Sequence, residues 1–397
     1  MRLPSSLLAG VRAGLPRVHS AATAGPSRLR AIHLLRELRV PAPWENAKKP
    51  RLRPYVPDES IDPDSPLHSS PTHRTSVWSS PPTSILLIQK PNDARTTQAM
   101  GEVLSHLTTN YPHLRLLVEA HTARDHPNFE QLYVVGPHDA HLLPLHTHMV
   151  LTLGGDGTVL HVSHLFSEGE CPPVLCFSMG SLGFLLPFHI DSMPVAFEQA
   201  LNGPVSVLNR ARLACTPYHA NGELLERCGD VSEDGWQVMN EVTLHRGRHP
   251  HLTIVDAFYD DQHLTEAVAD GLLLSTPTGS TAYSLSAGGP ISHPEADALL
   301  LTPIAPRSLS FRTVILPGQG EVRLQISDRA RSPAELSIDG REVCELHKND
   351  SVVIRKSEWP MPCIERPGGG TGWVRDISSL LHFNVGFVNK SIKKGHV

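Results

Sequence analysis

Met149 to Phe166, MVLTLGGDGTVLHVSHLF, is the stretch whose residue types and spacing most directly suggest chemistry. Gly154, Gly155 and Gly157 surround one carboxylate, Asp156, and Thr158 follows. Met149 to Leu153 reads as a buried strand of the parallel-sheet kind, and from Thr158 the apolar residues recur at helical spacing. A strand, turn and helix in this order aim backbone N–H groups and the positive end of a helix dipole at whatever binds there. Glycines let that backbone approach a phosphate closely. Asp156 would repel a phosphate, so it is either a turn-former or a group that handles a proton or a metal beside one. A P-loop is excluded because no Lys-Ser or Lys-Thr pair follows the glycines. The Gly-x-Gly-x-x-Gly spacing of a dinucleotide fingerprint is also absent.

A second grouping lies in the other half of the chain. Asp270 leads the apolar run Gly271 to Ser275, which passes into TPTGSTAYSLSAGGP, Thr276 to Pro290. So many hydroxyls and glycines make a poor core and a poor helix interior. They suit a surface against which a polar, phosphate-bearing ligand can lie, with Tyr283 able to stack or hydrogen-bond. Asn240-Glu241 is a third candidate, since Asn can pair with an adenine edge and Glu can accept from ribose hydroxyls.

The elements that must position these groups divide into two textures. Ile85 to Ile88, Leu114 to Val118, Leu132 to Val135 and Val174 to Ser178 read as further strands. Helical patterns at Asp93 to Asn110 and Met193 to Leu201 accompany them. That alternation predicts a three-layer α/β domain with a parallel sheet over residues 85–203, binding beyond the carboxyl ends of its strands. From Val205 onward short strands dominate, with turn signals such as Asn221-Gly222 and Asp339-Gly340. An all-β, sandwich-like domain is expected over 204–358, with Val205 to Cys215 and Gln237 to His245 each read as one strand. Residues 359–397 form a C-terminal segment expected to pack back on the α/β domain, helical over Trp373 to Phe387.

At 397 residues, with 40% hydrophobic residues, the chain can hold two domains and tails. Met1 to Arg36 has six arginines and no acidic residue, the make-up of a mitochondrial transit peptide, taken here as residues 1–40. Residues 41–84 carry ten prolines and read as linker, with folded structure beginning at Ser84. A net charge of −5 argues against a nucleic-acid partner. No apolar run is long enough to span a bilayer, and no membrane partner is expected. His146 and His148 have a metal-like spacing but no cysteine or carboxylate beside them in ligand spacing, and read as surface histidines. The six cysteines form no C-x-x-C pair and read as free buried thiols.

Taken together, the motifs resemble the NAD kinase family. Gly154 to Thr158, Asn240-Glu241, Asp270-Gly271 and Thr276 to Pro290 stand in the family's order and approximate spacing. So do Thr302-Pro303-Ile304, Ser308 to Arg312 and Ser337-Ile338-Asp339-Gly340. The resemblance covers roughly Ile85 to Lys356. Arg307, His245-Arg246-Gly247 and the tail Trp373 to Phe387 look like the branch of fungal mitochondrial NADH kinases, and Arg307 stands where many members carry histidine.

The resemblance implies ATP as phosphoryl donor, Mg²⁺ or another divalent cation, and NADH or NAD⁺ as acceptor at the adenosine-ribose 2′-hydroxyl. It implies Asp156 as the catalytic carboxylate, with Gly154, Gly155, Gly157 and Thr158 around the phosphates. Asn240 and Thr281 would contact adenine, Glu241 the ribose and Asp270 the nicotinamide end, with Tyr283 and Ser286 lining the dinucleotide site. The metal would be held by ATP phosphates or by Asp156. A homo-oligomer, at least a dimer, in the mitochondrial matrix is expected. Two alternatives stand beside this. A lipid kinase shares the glycine–aspartate turn but needs an apolar acyl surface where Thr276 to Pro290 is polar. A dinucleotide sensor without catalysis is the other.

Overall fold

The runs Ser84–Gln89 and Met149–Gly154 have every residue buried, as strands covered on both faces must. They are neighbours in the computed structural model, which describes residues 49–54, 73–167, 169–180, 183–228, 235–366 and 371–381. The expected transit peptide lies outside these residues. So do Ser181 and Leu182 of the second glycine turn, residues 382–387 of the expected terminal helix, and most of the expected linker.

Ser84–Gln89 pairs in parallel with Arg115–Glu119 and Met149–Gly154, and the latter pairs with Val174–Ser178. Helix Ala94–Asn110 starts where the Asp93 side chain accepts from the N–H groups of Arg95 and Thr96. It lays Met100, Val103, Leu104 and Leu107 on one face of the sheet, beside Phe197 from helix Met193–Asn202. Helix Asp156–Leu165 packs Val159 and Val162 on the opposite face. Helices on both faces of a mainly parallel sheet make the three layers.

Beyond Val174–Ser178 the sheet is completed by distant segments. Met361–Glu365 lies next, parallel to Val174–Ser178 and antiparallel to Val205–Arg210. His73–Trp78 and Leu52–Pro54 then extend the edge. Folded structure therefore begins before Ser84, and the 41–84 stretch is not linker throughout. HRTSVW is a proline-free island of strand-forming residues that an average over 44 prolines-and-serines-rich positions conceals. Trp78 secures it by donating its indole N–H to the Ala200 carbonyl at 2.7 Å.

The second part is a sandwich of two six-stranded sheets. Leu213, Val238, Val255, Leu324 and Ile354 face Val242, Leu244, Leu272, Leu301 and Leu336 in one shared core. Two expected strands are each broken in two. Val205–Arg210 belongs to the parallel sheet and Leu213–Tyr218 to the sandwich. Arg212 sits at the crossing and is fully buried, donating to the carbonyls of Ser163, Phe166, Gly169 and Trp359. It thereby serves the carbonyls at the end of helix Asp156–Leu165, where a cation is favoured. Trp236–Val238 and Glu241–His245 also lie in different sheets, cornered at Met239-Asn240. Strands Gln262–Ala269, Ala298–Ile304 and Arg341–Leu346 complete the sandwich beyond those read from sequence.

The expectation of six free thiols is corrected. Cys228 and Cys344 form a disulfide across a separation of 116 residues, which no local spacing could reveal. Cys171, Cys176, Cys215 and Cys363 are free and buried, and burial pushes their thiols well up.

Candidate active site

Gly155 caps the Asp156–Leu165 helix without a side-chain hydrogen bond, leaving the first N–H groups of the helix to a ligand. A Cβ on Gly154 would collide with Thr158 Oγ1 and crowd Lys90, so this glycine is required by packing. Gly155 and Gly157 have nothing within 4 Å of such a Cβ, because they border a cavity of about 980 Å³. Their lack of side chains keeps that space open. Lys90, Arg95, His121 and His161 bring cationic or imidazole groups to the same cavity, and Met179, Gly180 and Gly183 of the second glycine turn complete a wall.

Asp156 lines this cavity at the first residue of the helix. Its Oδ1 accepts from the Leu185 N–H at 3.2 Å. Burial pushes its carboxyl up, opposed by the Leu185 hydrogen bond, by the Arg210 guanidinium and by the Phe184 N–H. Of the other cavity carboxylates, Asp93 pairs with Lys90 at 3.2 Å and Glu119 holds His161 Nε2 at 2.9 Å. Asp156 is the one whose partners are backbone amides rather than side chains. Among the described residues no group of three or more His, Cys, Asp or Glu could hold a metal by itself. A carboxylate beside free helix N–H groups nonetheless fits a divalent cation that arrives on phosphate oxygens.

The second cluster is held by a hairpin. Ile338 and Arg341 pair across the two-residue turn Asp339-Gly340, both of whose residues have positive φ. The Asp339 carboxylate accepts from the N–H groups of Met239 (3.0 Å), Asn240 (2.6 Å) and Glu241 (3.3 Å). That clamp makes the corner at 239–240. Glu241 is 4% exposed and its Oε2 has no partner among the described residues. Burial pushes its carboxyl up to about 7, with Asp339 adding and the Tyr283 N–H opposing. An orphaned, buried carboxyl oxygen is the kind of group a ribose hydroxyl satisfies.

Thr276 to Pro290 is not the uniform ligand surface its composition suggests. Thr276, Thr278, Ser280 and Ser284 are buried and spend their hydroxyls inside the protein. Thr276 Oγ1 donates to the Met239 carbonyl at 2.6 Å and Ser280 Oγ to the Pro277 carbonyl at 2.6 Å. Gly279 packs so tightly on Asn240 that a Cβ there would overlap its carbonyl. Thr281, Tyr283 and Ser286 are the more open residues of the run, with Tyr283 39% exposed. Asp270 is paired with Arg246 Nε at 2.6 Å, and both Asp270 and Glu241 act on the Tyr283 hydroxyl electrostatically.

The expected residues thus form two clusters. Gly154, Gly155, Asp156, Gly157 and Thr158 line the cavity; Asn240, Glu241, Asp270, Thr281, Tyr283 and Ser286 lie outside its lining, on the sandwich. Sequence reasoning missed Lys90, Glu119 and His121, although each follows or ends a buried strand at the edge where ligands of such sheets bind. Arg210 and the clamping role of Asp339 carry no local signal, since both act across long separations.

A helix-mouth cavity lined by glycines, cationic side chains and imidazoles suits a ligand bearing phosphates. The chain belongs to the ATP-NAD kinase family: the N-terminal domain of that family matches residues 85–205 and its C-terminal domain residues 239–366. It is 39% identical over 315 residues to the mitochondrial NADH kinase pos5 of Schizosaccharomyces pombe, covering 79% of this chain and 78% of the relative. It is 34% identical to the mitochondrial NADH kinase POS5 of Saccharomyces cerevisiae, covering 78% and 83%. The crystal structure of yeast NADH kinase complexed with NADH superposes with a TM-score of 0.71 at 33% identity, covering 80% of this chain and 92% of that one. The NAD kinase from Archaeoglobus fulgidus in complex with ATP shares the fold, with a TM-score of 0.53 at 20% identity, covering 74% and 99%.

Proposed function

We propose that this chain transfers the γ-phosphoryl group of ATP to the 2′-hydroxyl of the adenosine ribose of NADH or NAD⁺, forming NADPH or NADP⁺ in mitochondria. The observation that carries this reading is the amide-ringed Asp156 at the mouth of its helix, within a cavity large enough for a nucleotide. Phosphoryl transfer needs positioning and charge neutralisation more than covalent help from the protein. The free N–H groups around Gly155, with Gly154, Gly157 and Thr158 shaping the turn, would hold phosphates, and Lys90 and Arg95 would offset their charge. Asp156 would orient the ribose hydroxyl and take its proton as the new O–P bond forms and the β–γ bridge breaks. A divalent cation would sit on the ATP phosphates beside Asp156, where it would spread the developing charge.

Asn240 and Thr281 would meet adenine, Glu241 the ribose, and Asp270, Tyr283 and Ser286 the rest of the dinucleotide. On this reading residues 85–203 serve mainly the phosphates and 204–358 mainly the dinucleotide, with 359–397 packing back on the α/β domain. Residues 1–40 would direct the chain to the matrix, and at least a dimer would form. The likeness to mitochondrial NADH kinases supports NADH as the favoured acceptor.

The test is an initial-rate comparison on the chain lacking residues 1–40, with ATP and Mg²⁺ fixed and NADH and NAD⁺ varied separately. Product from both, with higher kcat/KM for NADH, is expected. Preference for NAD⁺ would keep the kinase and sink the acceptor preference. No phosphorylated dinucleotide at all would sink the reading, and lipid acceptors would be assayed next.

A further inference from the structure

The peptide group between Phe184 and Leu185 is held from both ends by opposite charges. Its N–H donates to Asp156 Oδ1 at 3.2 Å, and its carbonyl accepts from Arg210 Nη2 at 3.3 Å. A guanidinium, one peptide dipole and a carboxylate therefore stand in line. Hydrogen bonds in such a chain polarise one another. The same guanidinium reaches Thr278 Oγ1 through Nη1 at 3.4 Å, so the Thr/Ser run of the sandwich hangs from it too. Its nearest carboxylate is Glu365 Oε1 at 3.7 Å, and its side chain is only 7% exposed. Arg210 ends the Val205–Arg210 strand beside Met361, where the parallel sheet gives way to the sandwich.

We propose that Arg210 is a positioning residue for phosphoryl transfer: through the 184–185 peptide it fixes the Asp156 carboxylate, and through Thr278 it fixes the sandwich against that carboxylate. This rests on the role given to Asp156 above. A purely structural arginine would need none of this alignment with the reacting carboxylate. The contacts are specific, because one guanidinium meets both the peptide that holds Asp156 and the Thr278 hydroxyl.

The experiment compares Arg210→Met, Arg210→Lys and Asp156→Asn by Tm, by KM for ATP and NADH, and by kcat. Arg210→Met is expected to lose about 10²-fold in kcat while KM for ATP and NADH changes far less. Arg210→Lys keeps a cationic donor and should recover part of that kcat. Arg210→Gln takes the place of Arg210→Met should that variant fail to fold. A charge-removed variant that lowers Tm yet keeps the wild-type kcat overturns the proposal. Wild-type turnover in Asp156→Asn would instead overturn the role of Asp156 itself, whatever the arginine variants do.

Discussion

At the scale of single residues, the most informative group is Glu241. Burial and the neighbouring Asp339 both disfavour its charge, while Asp339, accepting three N–H groups, is the better anion of the two. In the unfolded chain a glutamyl group ionises near its ordinary value of about 4.3. Between that value and about 7 the unfolded chain has released a proton that the folded chain still holds. Stability from this group is therefore full below the lower value, falls as pH rises through the window, and is flat above it. Glu241→Gln should unfold at nearly the wild-type temperature at pH 4. At pH 8 it should be the more stable protein, by on the order of 3–4 kcal/mol. If Glu241 meets the ribose, the same variant should raise KM for NADH about tenfold, the loss of one charged hydrogen bond. Calorimetry at the two pH values separates this from a variant that merely damages the fold, which would be destabilised at both.

At the scale of elements, the glycine turn separates packing from function. Gly154→Ala would drive a methyl into Thr158 and Lys90 and should cost about 1–3 kcal/mol of stability, as overpacking does. Gly157→Ala meets open space inside a helix and should leave Tm unchanged or slightly raised, while the methyl intrudes on the cavity and raises KM for ATP. Equal loss of Tm in both would contradict this division. The turn was legible because its strand, glycines and helix are contiguous, and the period of the apolar residues changes where they meet. The strand His73–Trp78 was not, since six residues cannot outvote the proline-rich composition around them. Nor were the corners at Ala211-Arg212 and Met239-Asn240. In each, strand-forming residues flank the corner on both sides, and the partners that turn the backbone sit far away in sequence: the carbonyls of Ser163, Phe166 and Gly169 for Arg212 and the Asp339 carboxylate for Asn240. The buried half of Thr276 to Pro290 was misread for a related reason. Hydroxyls look like ligand surface until the carbonyls that absorb them are known.

At the scale of the whole molecule, long-range ties dominate. The Cys228–Cys344 bond joins the segment leading into Trp236–Val238 to the strand following the Asp339 hairpin, so it encloses the corner that presents Asn240 and Glu241. Alkylation of the denatured, unreduced protein should modify four of the six cysteines, and prior reduction should release all six. Six modified without reduction would show the bond absent. Met361–Glu365 makes a tie of another kind, wedged between Val174–Ser178 and Val205–Arg210 in the sheet that carries Asp156. A ribosome delivers those two outer strands first and the wedge only after residues 211–360 have been made. Through that interval each outer strand presents a bare edge, the kind of surface on which chains aggregate. Timing follows from topology: the residues that line the phosphate cavity, 89 to 186, are synthesised early, but the sheet behind them closes only when Met361–Glu365 arrives.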